Sequence, residues 1–273
     1  MSKDNRRIAP KTFVPYAAGV ALVVIVLSRY VSPGVGAGVG LAIIVLAFKQ
    51  MLEEVLSKIA RQQDNLFTQY ECLKQLHLHL KPVEPFPATR SYRGSPDFLL
   101  EIYQRIMSTR PRVVVEGSSG LSTLVCGYAL RQLGDGRVIS MEHEAFYARL
   151  SQENVDRHGL GQVARVHHAP IVKHAIKGRT WLWYDFEKVG LPDEIDLIVI
   201  DGPPSGLQKK ARYPALPLLI DKLKVGGILM LDDADRGGER RAVDDWKAEF
   251  PNIEVEHVPL EKGLVVVTKT GPR

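Results

Sequence analysis

Residues 113–124 read VVVEGSSGLSTL: three valines, an acid, two serines set between glycines, and then an apolar stretch with helical spacing. An apolar run without polar alternation implies a strand buried on both faces. Glycines at its end let backbone N–H groups approach a ligand, and the helix behind them turns its positive N-terminus to the same spot. Glu116 is the unexpected member, because a carboxylate there repels a pyrophosphate and attracts an ammonium. The next strand-like run ends at Glu142, roughly 20 residues past the glycines, from where an acid reaches ribose hydroxyls in nucleotide-binding α/β folds. The pattern favours a ligand with an amino group and a ribose but no phosphate.

Working outward from this stretch, helical and strand-like segments alternate. Residues 97–107, 122–133, 145–158 and 214–223 read as helices, and 112–115, 137–141, 163–167, 195–200 and 227–231 as strands. Such alternation builds a parallel sheet with crossover helices, an α/β layered fold. Residues 253–258 and 264–268 are also strand-like, with too few residues between them for a crossover, so they form an antiparallel hairpin. Asp201 closes one Ile-rich strand and Asp232-Asp233 close the next, which brings three carboxylates to the edge of the sheet where α/β folds bind ligands. Clustered anions need a cation, a proton or a substrate ammonium among them. Alternatively, Asp232 and Asp233 cap the helix that follows.

Four stretches now carry a family resemblance: EGSSGLST at 116–123, SMEHE at 140–144, VIDGPP at 199–204 and LDDADR at 231–236. In this order, at successive strand ends, they resemble the motifs of class I S-adenosylmethionine-dependent methyltransferases, in the bacterial branch akin to small-molecule O-methyltransferases of the catechol and caffeoyl-CoA type. The resemblance covers residue 95 to the C-terminus. It implies a Rossmann-like, mostly parallel sheet whose closing hairpin is the family's reversed last strand. It also implies that Glu116 holds the methionine amino end, that Gly117, Ser118, Ser119 and Gly120 form the close turn with Ser122 and Thr123 behind it, and that Glu142 binds the ribose. His143 would lie beside the adenine and Ala169 near its edge. In catechol-type relatives, acids matching Asp201 and Asp232 hold a divalent metal such as Mg2+, with an amide-bearing residue in the place of Asp233. Here that residue is Asp, and Pro204 stands where those enzymes have a lysine. The metal set Asp201, Asp232 and Asp233 therefore competes with a metal-free version, in which Asp201 or Asp233 is the general base for an acceptor hydroxyl.

Around this site, Trp183 and Tyr184 read as core packing in preference to pocket walls. Lys209, Lys210, Arg212 and Tyr213 are candidates to receive an anionic substrate group, or else form a solvated helix start. His167, His168 and His174 lack the spacing of a zinc site and read as a strand end and loop.

The other end of the chain is different in kind. Residues 13–27 and 31–48 are almost purely apolar, each close to the ~20 residues a membrane-crossing helix needs. Lys3, Arg6, Arg7 and Lys11 precede the first run, and Lys49, Lys58 and Arg61 follow the second. Positive charge at both ends favours a transmembrane hairpin over 1–48 with both ends cytoplasmic. A helical stalk with Leu52, Val55, Leu56, Ile59, Leu66, Tyr70, Leu73, Leu76 and Leu80 at spacings of three and four follows over 49–81. It either pairs with a second copy as a coiled coil or folds back on its own domain. Prolines 82, 85, 87 and 96 make 82–96 a linker, and the catalytic domain is 97–273. The length of 273 residues suits one domain plus an appendage. The net charge of +5 is spread without a basic block, which speaks against nucleic acid as a partner. Two distant cysteines argue against a disulfide framework and for a reducing compartment.

The sequence thus leads to the expectation of a membrane-anchored methyltransferase at the cytoplasmic membrane, using S-adenosylmethionine on an oxygen of a small or lipid-linked acceptor. Its rivals are a nicotinamide-dependent oxidoreductase, which would want GxGxxG where this chain has GSSG, and a membrane scaffold with a degenerate nucleotide-binding domain.

Overall fold

The computed structural model describes residues 25, 33–87 and 94–272. The chain divides into two compact units, Met1–Leu66 and Phe67–Arg273. In the first, the described structure is the leading part of helix α1 (Pro33–Leu80). The first apolar run, 13–27, lies outside the described residues save for Ile25. No helix among the described residues is long and apolar enough to cross a membrane. The described side chains of the second run go from Gly38 to Phe48, about half of the ~20 residues a span requires. α1 continues without a break past Lys49 and past Gln62-Gln63. Leu52, Val55, Leu56 and Ile59 are all exposed on it.

In the second unit, α1 ends in the core. Leu76 and Leu80 are buried in one apolar cluster with Phe98, Leu99 and Tyr128. Next come α2 (Pro96–Thr109), β1 (Val113–Gly117), α3 (Leu121–Leu133), β2 (Arg137–Glu142), α4 (Ala145–Arg157) and β3 (Ala164–His168). A hairpin of β4 (Ile171–Ile176) and β5 (Arg179–Tyr184) follows, then the short α5 (Phe186–Val189), β6 (Ile195–Ile200), α6 (Ala215–Leu219), β7 (Leu223–Leu231), α7 (Gly237–Glu249), β8 (Ile253–Val258) and β9 (Leu264–Lys269). The main sheet has the order β3-β2-β1-β6-β7-β9-β8. Its first five strands are parallel, and β9 runs antiparallel to both β7 and β8, so the expected hairpin is the reversed end of the sheet. Alternate strand residues enter opposite layers: Val114, Leu197 and Met230 face one cluster, Val115, Ile198 and Leu229 the other. Both faces are covered, which is why these strands read as unbroken Val/Ile runs. Strand order reverses between β1 and β6, and that is where such sheets open a crevice at their carboxyl ends.

Two elements differ from expectation. The helix expected over 214–223 is a single turn, and β7 starts at Leu223 because Lys222 O and Ile195 N already pair there. His174, expected in a loop, lies in β4, which pairs with β5 as a separate two-stranded sheet. This sheet closes through Lys177 and Gly178, both at positive φ (51° and 74°), the backbone that a two-residue hairpin turn requires.

Asp97 ties three segments together. Its Oδ2 accepts from the Glu261 amide at 2.7 Å and its Oδ1 from the Phe98 amide at 2.8 Å, while its own N–H donates to Gln69 Oε1 at 3.1 Å. Asp97→Ala strips a buried amide of its acceptor and is expected to cost about 1–2 kcal/mol, read as a lower urea midpoint with an unchanged m-value.

Candidate functional site

Glu116 is fully buried at the end of β1. Its Oε2 accepts from Thr123 Oγ1 at 2.5 Å and from Ser140 Oγ at 2.6 Å, while Oε1 has no partner among the described residues. Burial pushes the carboxyl up to about 7 against the pull of the Ser122, Ser140 and Thr123 hydroxyls, and Asp201 adds to the rise. The close turn follows. Ser118 (φ 136°) donates from its amide to Met141 O, and Gly120 (φ 144°) donates to Thr123 Oγ1 at 3.1 Å. A Cβ on Gly120 would meet nothing within 4 Å, so the turn borders open space.

Glu142 ends β2 beside this turn. Its Oε2 lies 3.2 Å from Ser119 Oγ, and its Oε1 accepts from the Glu144 amide at 3.0 Å and faces His143 Nδ1 at 2.9 Å. Burial opposes ionisation, but the His143 hydrogen bond, the Glu144 amide and Ser119 together hold the carboxyl below its usual range. The same Glu142 bond raises His143. Ala169 is buried alongside, its amide on Glu142 O at 2.8 Å. Glu116, the turn, Glu142, His143 and Ala169 therefore share one end of the sheet. Free polar atoms and open space at the turn fit a ligand with an ammonium and ribose hydroxyls.

Tyr184 and Trp183 come from β5 and are fully buried, in keeping with their reading as packing. Tyr184 is more than filler: a Cβ on Gly202 would collide with its Oη, so the backbone after β6 has to be glycine there. Neither Tyr184 Oη nor Trp183 Nε1 has a partner among the described residues.

The three aspartates also meet: carboxylate oxygens of Asp201, Asp232 and Asp233 lie within 4.8 Å of one another. They do so around a side chain. Arg212, 2% exposed, donates from Nη2 to Asp233 Oδ2 at 2.7 Å, Asp201 Oδ1 at 3.2 Å and Asp201 O at 2.6 Å, and from Nη1 to Asp232 O at 2.6 Å. Arg236 Nη1 adds a second cation to Asp233 Oδ2 at 2.9 Å. Burial, with Asp201 and Asp233 next to it, holds the Asp232 carboxyl well above its usual range. Asp201 is raised too, by burial before all, with Arg212 opposing. The guanidinium groups engage one oxygen of Asp201 and one of Asp233, while Asp232 Oδ2 and Asp233 Oδ1 have no hydrogen-bond partner among the described residues; with a buried cation already among the three carboxylates, the set as built does not fit a divalent metal. Nor do the aspartates cap α7, whose N-cap position is Arg236 without a side-chain cap.

Arg212 is thus neither a receiver of substrate anions nor part of a solvated helix start: it is buried, and its partners are the chain's own carboxylates and carbonyls. Of its companions, Lys210 pairs with Asp245, and Tyr213 donates to the Glu249 carboxylate at 2.8 Å. His167, His168 and His174 join no cluster of candidate metal ligands among the described residues.

Residues 115–234 match a family described as a methyltransferase domain. No curated protein matches the chain. Among solved structures, a Podospora anserina methyltransferase bound to S-adenosylhomocysteine is 18% identical, with 73% of this chain and 88% of that one covered at a TM-score of 0.53. A Bacillus cereus O-methyltransferase in complex with S-adenosylhomocysteine is 16% identical, covering 73% and 91% at a TM-score of 0.52. A Geobacter sulfurreducens methyltransferase is 13% identical, covering 79% and 96% at a TM-score of 0.51. The chain carries a methyltransferase domain, built on the α/β fold that these three proteins share.

Proposed function

We propose that the chain transfers a methyl group from S-adenosylmethionine to an oxygen of a small or lipid-linked acceptor at a membrane. The observation that carries this reading is the open turn at Gly120, flanked by the unpartnered Glu116 Oε1 and by the ionised Glu142 at the β1/β6 switch point. When bound, S-adenosylmethionine supplies an electrophilic methyl carbon on a sulfonium. Glu116 Oε1 takes its ammonium, Glu142 accepts from its ribose hydroxyls, and His143 and Ala169 bound its adenine. Of the three aspartates, Asp201 has the most exposed side chain, at 14% against 3% for Asp233. Asp233 is held by two arginines, so Asp201 is the general base. It accepts the proton of the acceptor hydroxyl as that oxygen takes the methyl group, while positioning in the crevice supplies much of the rate.

The apolar runs 13–27 and 31–48, flanked by lysine and arginine, support an anchor in the cytoplasmic membrane with the domain on the cytoplasmic side. The exposed Leu52, Val55, Leu56 and Ile59 support pairing of α1 with a second copy. Flotation with liposomes that is lost on deleting residues 1–48, and sedimentation of the full chain as a dimer, are the expected results.

For the cofactor, calorimetry should show S-adenosylhomocysteine binding and NAD not. Glu142→Gln removes a charged acceptor from the ribose and is expected to weaken that binding about 10–100-fold. NAD binding in preference to S-adenosylhomocysteine, or an unchanged affinity in the variant, would defeat the proposal.

A further inference from the structure

We infer that the acidic pocket at the ends of β6 and β7 houses a built-in cation, the Arg212 guanidinium, and that the methyl transfer proposed above runs without a divalent metal. The second half of this inference rests on that proposal, whereas the first stands on the geometry of the pocket. Three carboxylates converge here, and a metal is the usual answer to such a convergence because it satisfies hard oxygen ligands at about 2.0–2.6 Å. In this chain a guanidinium already stands among the carboxylates, although Asp232 Oδ2 and Asp233 Oδ1 keep no hydrogen-bond partner among the described residues. Nη2 of Arg212 reaches Asp201 Oδ1 at 3.2 Å and Asp233 Oδ2 at 2.7 Å. Its two bonds to the carbonyls of Asp201 and Asp232, both at 2.6 Å, fix the group between the two strand ends.

The side chain is 2% exposed and has buried Glu239 4.0 Å from its Nε, so acids line its inner side as well. Asp233 is further matched by Arg236 at 2.9 Å and by Lys262 at 4.0 Å. Three cationic groups therefore already face the three aspartates. A divalent ion drawing on all three carboxylates would have to share Asp201 Oδ1 or Asp233 Oδ2 with the guanidinium, or use Asp232 Oδ2 and Asp233 Oδ1 directly beside it. In either place it meets the repulsion of a buried cation that two carbonyl bonds hold in position. A planar fork with five N–H donors suits this pocket, which offers carbonyls as well as carboxylates.

There is a consequence for the acceptor. A metal selects substrates that present two neighbouring oxygens to it, by chelation. An arginine committed to its own chain makes no such demand, so a single hydroxyl suffices and a vicinal diol gains nothing.

The test is a Mn2+ titration of the full-length chain in detergent, followed by the electron paramagnetic resonance signal of free Mn2+. The expected result is no uptake up to about 1 mM, with Asp201→Asn indistinguishable from the parent. Arg212→Met, which keeps the length and loses the charge, is expected to bind one Mn2+ at least about tenfold more tightly and to melt higher in its presence. Uptake of one Mn2+ per parent chain in the micromolar range, lost in Asp201→Asn, overturns the inference. So does an Arg212→Met chain that is folded by circular dichroism and binds no more Mn2+ than the parent. If Arg212→Met does not fold, the comparison of parent with Asp201→Asn decides alone. Calorimetry with S-adenosylhomocysteine in EDTA separates the two readings: no binding there would strike the methyltransferase proposal and leave the Mn2+ result standing.

Discussion

Arg212→Ala lowers the free energy of unfolding by about 3–5 kcal/mol, the cost of leaving buried carboxylates without their partner. For a unit of this size that is a fall in melting temperature of roughly 10 °C. The expectation follows from what the side chain holds: two strand-end carbonyls and two carboxylates, all within 3.2 Å. Arg212→Lys recovers little, since one ammonium cannot span the ends of β6 and β7 as the fork does. The deficit also has a pH signature. Without the guanidinium, Asp201 and Asp232, already held above their usual range, lose the cation that opposes the rise, so acidification relieves the variant more than the parent. Urea denaturation at pH 7.5 and pH 4.5 measures both. A loss under 1 kcal/mol, or one that grows towards acid, would show that Arg212 is not the keystone of the pocket.

Glu116→Gln works in the opposite direction. A carboxyl whose pKa rises from 4.5 to about 7 on folding leaves the native state holding an extra proton between those values. Its contribution to stability is complete below pH 4.5 and is lost as pH rises through about 7. The loss amounts to about 3 kcal/mol at about 1.4 kcal/mol for each tenfold change. Glutamine does not titrate, and its carbonyl can still accept from Thr123 and Ser140. Relative to the parent, the variant should therefore gain about 3 kcal/mol between pH 4.5 and pH 8, whatever constant offset its amide introduces. Melting curves of both proteins across that range give the difference directly, and a flat difference would mean that Glu116 ionises as freely inside as outside. With S-adenosylhomocysteine present the gap should narrow, because an ammonium on Oε1 favours the ionised parent and does nothing for the variant.

The sheet was legible because its information is local and repetitive. Val113-Val114-Val115 and Ile198-Val199-Ile200 announce strands covered on both faces, and the short spacing from Val258 to Leu264 leaves only a hairpin. The crevice was legible as well, since acids at successive strand ends, Glu116 and Glu142, must share an edge of a parallel sheet. The β4–β5 hairpin was hidden, because Lys173, His174 and Ala175 dilute the strand signal, although Lys177-Gly178 between Ile176 and Arg179 was a usable turn signal. Arg212 could not be placed at all. It follows a stretch of turns, Gly206 to Lys210, whose path no periodicity encodes, and a guanidinium among lysines reads as surface until the backbone carries it inside. The pocket's anions could be read from strand ends, but its cation is set by tertiary packing.

The end of α1 has a practical consequence. Prolines 82, 85, 87 and 96 invite truncation at Pro96 to obtain a crystallisable fragment. Such a fragment would lack Leu76 and Leu80, both inside the apolar cluster with Phe98, and Gln69, the acceptor for the Asp97 amide. It would expose greasy surface on a trimmed catalytic core and invite clumping, whereas a fragment begun at Phe67 keeps all three residues.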